Sequence, residues 1–239
     1  MPLPKIATPY YDLVLPSTEE KIEFRPFLVK EEKLLVLAME SQDQKQITKA
    51  IKEVIKSCVR GEIQVESLPT FDIEYLFLNI RGKSVGEEIE LKVIAPDDEE
   101  TEIPVIVNID DIKVVKDENH SRDIDLGGGL KMRMKYPSLE EFINQNFDLS
   151  EDGSNVEKTF DLIASCVETI YNEEEAWSAS DVSKKELQEF VDQLSTKQFQ
   201  DIEKFFSTMP KLSHTIEVKN PKTKKKSEVV LEGLSSFFA

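Results

Sequence analysis

The sequence predicts an α+β fold, in which a small antiparallel sheet of hairpins is joined by an N-terminal helical pair and by a helical insertion in the C-terminal half. Three observations predict it. Residues 88–95 alternate Ile89, Leu91 and Val93 with Glu90 and Lys92, and residues 103–109 alternate Ile103, Val105, Val107 and Ile109, the period of half-buried paired strands. A comparable pair, Thr215 to Lys219 and Glu228 to Leu231, lies near the C-terminus. Between them, Ser138 to Met209 holds four Ser-x-x-Glu/Gln helix starts, at Ser138, Ser154, Ser183 and Ser195, where the Ser oxygen accepts a free amide and the Glu or Gln reaches back.

Taken in order, residues 1–20 contain Pro2, Pro4, Pro9 and Pro16, which block helix and central-strand bonding, so they read as an extended arm ending near Ser17-Thr18 and open to a partner. Residues 21–136 form the α+β core, completed by 211–239, and residues 137–210 are the insertion. Ile22 to Phe27 suits a short strand. Val29 to Met39 and Gln44 to Cys58 read as two helices, the second with Ile47, Ile51, Val54 and Ile55 on one face, and Gly61 closes the pair.

The stretch FDIEYLFLNIRGKSVGEE, Phe71 to Glu88, reads as a docking element. Ile73, Leu76, Phe77 and Ile80 recur at i, i+3, i+4 and i+7, while Phe71, Tyr75 and Leu78 add a second flank, so this helix should be covered on most sides. Its last turn is polar: Arg81, Lys83 and Ser84 precede Gly86, which suits a helix stop, and cations are favoured at a helix C-terminus. The plainer reading is a core helix with a good C-cap.

The first hairpin ends in the acidic tip Pro96-Asp97-Asp98-Glu99-Glu100, the second in the basic tip Asn220-Pro221-Lys222-Thr223-Lys224-Lys225-Lys226. Both suit solvated turns that protect strand edges, or charges that select neighbours in an assembly. Val114-Val115 and Ile124 to Met134 read as further strands, broken by Gly127-Gly128-Gly129. No Lys-Ser/Thr follows those glycines, so no nucleotide is implied. In the insertion, Leu187, Phe190, Val191 and Leu194, then Phe199, Ile202, Phe205, Phe206 and Met209, form apolar faces that either cover the sheet or receive a partner. Trp177, after three glutamates, either tethers a loop or serves as a binding anchor.

With 47 acidic and 30 basic residues the net charge is −17, which repels phosphate backbones and anionic lipid and argues against nucleic acid as a partner. No apolar run approaches the roughly 18 to 20 residues of a membrane span, and MPLPKIATPYYDLVLP lacks the order of a signal peptide. Cys58 and Cys166 read as buried thiols, and His120 and His214, the only histidines, as structural or solvent-facing. No nucleophile motif stands out, and carboxylate pairs in so acidic a chain do not identify an acid/base pair.

Three strings occur in a particular order: Phe24-Arg25-Pro26-Phe27-Leu28-Val29-Lys30-Glu31-Glu32-Lys33, the Phe71 to Glu88 stretch, and Gly233-Leu234-Ser235-Ser236-Phe237-Phe238. Together they resemble the baseplate hub subunit and hub assembly protein family of T-even-type contractile-tailed bacteriophages. The likeness is clearest over residues 1–116 and 210–239. It implies a non-enzymatic role in building the baseplate hub, as an assembly factor or chaperone, or else as a constitutive structural subunit of the virion. A tail-spike hydrolase lacks a recognisable site. The implied partners are other phage hub or tail proteins, with no nucleic acid, small-molecule ligand or cofactor, in the host cytoplasm during assembly or in the finished virion. Candidate interaction residues are Arg25, Phe27, Lys30, Arg81, Lys83, Ser84, Trp177, Phe237 and Phe238. The terminal Phe pair is expected to be buried, either against the Phe199 to Met209 helix or in a partner. The resemblance also implies Cys-x-x-Cys knuckles for zinc at the two hairpin tips. Asn220-Pro221-Lys222-Thr223 keeps that spacing without thiolates and the acidic tip has no Cys, so no metal is expected.

Overall fold

The computed structural model describes residues 6–139, 141 and 155–237, and its fold is α+β with small antiparallel sheets. The chain forms two compact units: unit 1 is Met1–Val115 with Lys211–Ala239, and unit 2 is Lys116–Pro210.

Unit 1 opens with a hairpin of β1 (Tyr11–Val14) and β2 (Lys21–Phe24), Tyr11 facing Phe24 and Val14 facing Lys21. This corrects the reading of residues 1–20 as an arm throughout. Pro9 and Pro16 bracket the strand without entering it, and a two-stranded sheet needs hydrogen bonds on one edge only. β2 stops short of Pro26, which has no N–H to give. Helices α1 (Val29–Glu40) and α2 (Gln44–Cys58) follow, α2 capped by Asp43, whose side chain accepts from the Lys45 amide at 2.9 Å.

Helix α3 (Thr70–Val85) buries Phe71, Asp72, Ile73, Leu76, Phe77, Leu78 and Ile80, and ends at Gly86 with φ 119°, a value that L side chains rarely adopt. A Cβ on Gly82 would stand 3.0 Å from Ile109 Cδ1, so the small residue lets the helix lie close to its neighbour. β3 (Glu88–Ile94) and β4 (Glu102–Asn108) pair antiparallel as the alternation predicts, and β5 (Lys113–Val115) follows a 3-10 turn.

Unit 2 begins with β6 (Asp123–Gly127) and β7 (Leu130–Met134), joined through glycines at positive φ. After α4 (Asn155–Ser165), the chain forms β8 (Val167–Tyr171) and β9 (Ala176–Ser178), giving a sheet of order β6-β7-β8-β9. The expectation of helix throughout 138–209 is therefore corrected. Val167, Thr169 and Ile170 are β-branched, and β7 offers a free edge on which they pair. Helices α5 (Lys184–Val191) and α6 (Thr196–Thr208) start with the Ser183/Glu186 and Ser195/Gln198 capping boxes. Ser138 and Glu141 exchange the same pair of bonds, and Ser154 lies outside the described residues. Ile202 and Phe205 of α6 are buried with Ile124, Met132 and Met134, so this aromatic helix covers the sheet.

Unit 1 resumes with β10 (Lys211–Lys219) and β11 (Lys226–Glu232), in the order β11-β10-β5. The two long hairpins thus belong to separate sheets. They are united by side chains, since Leu91, Val107, Leu212 and Leu231 share one core with Leu78 of α3, Ile112 and Phe237. Phe237 is fully buried there, in the unit 1 core and not against the Phe199 to Met209 helix; Phe238 lies outside the described residues. Phe237→Ala should cost about 3 to 5 kcal/mol in urea unfolding, because a buried ring leaves both its transfer energy and a cavity.

Candidate docking site

All three strings behind the family resemblance converge on α3. Ser84, in its last turn, donates to the Ile80 carbonyl at 2.6 Å and accepts the Phe27 amide at 2.9 Å, so the second string holds the first. Glu74 accepts the Leu234 amide at 3.0 Å, which holds the third. Asp72, in the first turn, accepts the Ser17 amide at 3.1 Å and its hydroxyl, tying down the segment after β1; a carboxylate there also suits the positive helix N-terminus. Sequence reasoning passed over Asp72 and Glu74. Their signal was two acids inside an otherwise apolar run.

Arg25 is turned inward. Its guanidinium donates to Glu31 at 2.9 Å, to the Ser57 carbonyl at 2.8 Å and to the Pro26 carbonyl at 2.8 Å, with only 11% of its side chain and 4% of that of Glu31 exposed. Glu31 also accepts the Leu28 amide at 2.8 Å, at the start of α1. Burial works to raise the Glu31 pKa, but the Arg25 hydrogen bond and that amide hold it below its ordinary value. One ion pair therefore joins β2, α1 and the end of α2. Beside it, burial pushes the Cys58 thiol up to about 11, which keeps it protonated and unreactive.

The other candidates divide. Phe27 is partly buried, and Lys30 is exposed with its ammonium 3.2 Å from Glu31. Lys83 pairs with Glu87 and lies over the Tyr11 ring, while Arg81 is partly covered and burial lowers its pKa. Trp177 stands in unit 2, in strand β9 opposite Ile170 and 42% exposed; it is a strand residue and not a loop tether.

The two hairpin tips meet each other. Asn220, 1% exposed, donates to Asp97 at 2.9 Å and Asp98 at 3.0 Å, and Thr223 donates to Asp97. Each tip is the same kind of turn: the Glu99 amide reaches the Ala95 carbonyl at 2.9 Å with Glu99 at φ 55°, and the Lys224 amide reaches the Asn220 carbonyl at 3.0 Å with Lys224 at φ 66°. Hydrogen bonds, first from the Thr101 hydroxyl, hold Asp98 far below the usual carboxylate range. The lysines of the basic tip are exposed, Lys226 pairing with Glu217 of its own hairpin, so amide and hydroxyl groups, not ammonium groups, meet the acidic tip. Carboxylates, an amide and a hydroxyl do not fit zinc, which prefers thiolate and imidazole. Among the described residues no group of three or more His, Cys, Asp or Glu side chains is placed to hold a metal.

In unit 2, His120 uses both ring nitrogens, Nδ1 with Thr208 Oγ1 at 2.9 Å and Nε2 with Tyr136 Oη at 3.0 Å. Thr208 gives its proton to the Lys204 carbonyl, so Nδ1–H donates to Thr208 and Nε2 accepts from Tyr136. Burial lowers the His120 pKa and favours this neutral form. Cys166, like Cys58, is buried and its thiol is pushed up to about 12. Among the described residues no helix is long and apolar enough to cross a membrane.

Residues 8–239 of the sequence match the family model described as T4 bacteriophage base plate protein. The chain belongs to that family. No match was found among curated proteins or among solved structures.

Burial pushes the Glu74 carboxyl up to about 7 from an ordinary 4.5. The unfolded chain releases this proton first, so the group stabilises the fold below pH 4.5 and that contribution is lost as pH rises through about 7. Glu74→Gln keeps an acceptor for Leu234 and should remove about 3 kcal/mol of pH dependence, read as urea stability at pH 5 and 8. At the tips, Asn220→Ala should cost about 1 to 3 kcal/mol by removing the hydrogen bonds of a buried amide, whereas a chelator should leave the melting temperature of the parent chain unchanged.

Proposed function

We propose that this protein acts without catalysis in assembly of the baseplate hub, as a factor or chaperone that engages hub or tail proteins in the host cytoplasm. The observation that carries this reading is helix α1. Val29, Val36, Leu37 and Met39 are 78, 49, 55 and 56% exposed on a helix of 12 residues. A monomeric surface seldom leaves that much apolar side chain in one element unless a partner covers it. Chemistry finds less support: both thiols are held protonated, and His120 has both nitrogens engaged in structure. A net charge of −17 favours a dispersed factor over a self-assembling lattice subunit.

The test is mass spectrometry of purified particles beside lysate from the same infection. Abundance in the lysate with absence from particles is the expected result. A fixed number of copies per tail would make the protein a constitutive structural subunit instead.

A further inference from the structure

Strand β11 has β10 on one side and, among the described residues, no strand on the other. The Asn220 amide bonds the Lys225 carbonyl at one end of the β10–β11 ladder, and the Gly233 amide bonds the Leu212 carbonyl at the other, each at 2.9 Å. An antiparallel ladder alternates, so residues 225, 227, 229, 231 and 233 turn their backbone to β10, and the amides of Lys226, Glu228, Val230 and Glu232 face the open edge. Such an edge invites another chain, and proteins often blunt it with proline, a bulge or a short strand. β11 has none of these, being seven residues, KSEVVLE, in unbroken register with β10. β4 by contrast carries Pro104 at an edge-facing position, and β5 and β9 are three residues long. β3 is as long as β11, but its inward-facing Ile89, Leu91 and Val93 are all buried. In the middle of β11, Val229 is only partly covered on the inward face and Val230 is 54% exposed on the outward one.

We infer that two copies of the chain pair antiparallel through β11, about a two-fold axis at Val229, and so join their three-stranded sheets into one of six strands. Edge-facing residues must oppose edge-facing residues, so the register can slip only by two. In the centred register Lys226 lies opposite Glu232 of the second copy, twice by symmetry, and Glu228 lies opposite Val230. The two Val229 side chains then meet as a non-hydrogen-bonded pair, the closer kind. A slip of two in one direction sets Glu228 against Glu228, and in the other Glu228 against Glu232; a slip of four leaves three strand residues in the ladder. The centred register keeps glutamates apart except on the diagonal, roughly 7 to 8 Å away, where repulsion is weaker. Lys226 and Glu232 pair within the chain with Glu217 and Lys211, but both side chains are more than half exposed and can take a second partner. The outward face of the sheet as a whole carries Lys113, Lys211, Lys219 and Lys226 beside Glu217, Glu228 and Glu232, so this part of a chain of net charge −17 does not repel its own copy. A two-fold contact uses the same strand on both copies, so pairing stops at two and builds no lattice. The seam is narrow, which makes the dimer a weak and exchanging one. This inference goes beyond the assembly reading and holds whether or not the protein stays in the particle.

The test is sedimentation equilibrium of the full chain over roughly 1 to 200 µM, where a weak dimer should form. Val230→Pro removes an edge-facing donor without touching the β10 ladder and should leave a monomer. Lys226→Glu and Glu232→Lys should each weaken the dimer about tenfold, since each turns two facing pairs repulsive, and the two together should restore it. Val229→Cys sets two thiols at the axis and should cross-link on mild oxidation, whereas Ser227→Cys, opposite Leu231, should not; the native thiols are buried. Urea melts in dilute solution show which variants keep the fold, and if Val230→Pro does not, the charge swap and the cross-link decide. A monomer over the whole range, a dimer indifferent to a folded Val230→Pro, a double swap no better than the single changes, or cross-linking at Ser227 in preference to Val229 overturns the inference.

Discussion

Helix α3 is buried almost all round, and this constrains the rest of unit 1. A helix in that position can carry polar side chains only if each finds a partner, because an unpaired buried acceptor costs about 1 to 3 kcal/mol and a charge costs more. Asp72, Glu74 and Ser84 therefore each capture a different piece of chain: the segment after β1, the turn after β11, and the lead into α1. Segments as far apart in the sequence as Ser17 and Leu234 are brought to one rod. Their order along α3 is fixed by the helix itself, at 1.5 Å per residue, so the rod acts as a ruler for where the peripheral elements begin.

The second constraint is the Arg25–Glu31 pair. A buried ion pair adds little net stability relative to a well-packed apolar pair, but it tolerates few alternative geometries. Here it sets how α1 leaves β2 and how it meets the end of α2. Helix α1 has apolar residues around most of its circumference, VKEEKLLVLAME, and a single contact with α2 cannot cover them all. Once Glu31 fixes which side faces in, Val29, Val36, Leu37 and Met39 must face out.

What could be read from the sequence follows from the range of the signals. The β3–β4 hairpin was legible because its alternation is local and long, and α5 and α6 because Ser183 and Ser195 announce their own caps. β8 and β9 were not, being five and three residues long, too short to show a period inside a region full of helix starts. The convergence of the three strings was visible only as order along the chain, and its cause, Ser84 on Phe27 and Glu74 on Leu234, spans 57 and 160 residues. The contact between the two charged tips was hidden for a related reason. Charge suggests ammonium on carboxylate, yet Asn220 and Thr223, the least conspicuous residues of the basic tip, make the contact. Ser84 was singled out as a polar group at the end of an apolar helix and Arg25 as part of the first string, and neither signal says whether the partner is internal.

The His120 clasp bears on how the chain can fold at all. β5 and β10 pair with Val115 opposite Lys211, so that ladder encloses residues 116–210, 95 in all. Closing a flexible loop of that length costs about 2.6 kcal/mol more entropy than closing one of about five residues, before any strand bond is made. His120 and Thr208, bonded to each other, stand at the two ends of the enclosed segment. If unit 2 forms first, the free chain left to close is four residues on one side and two on the other, and the distant pairing becomes a local one. Contact order measured along the finished chain then overstates the search that the β5–β10 ladder requires, and loosening the clasp should slow the last step of folding more than it lowers the stability of the product.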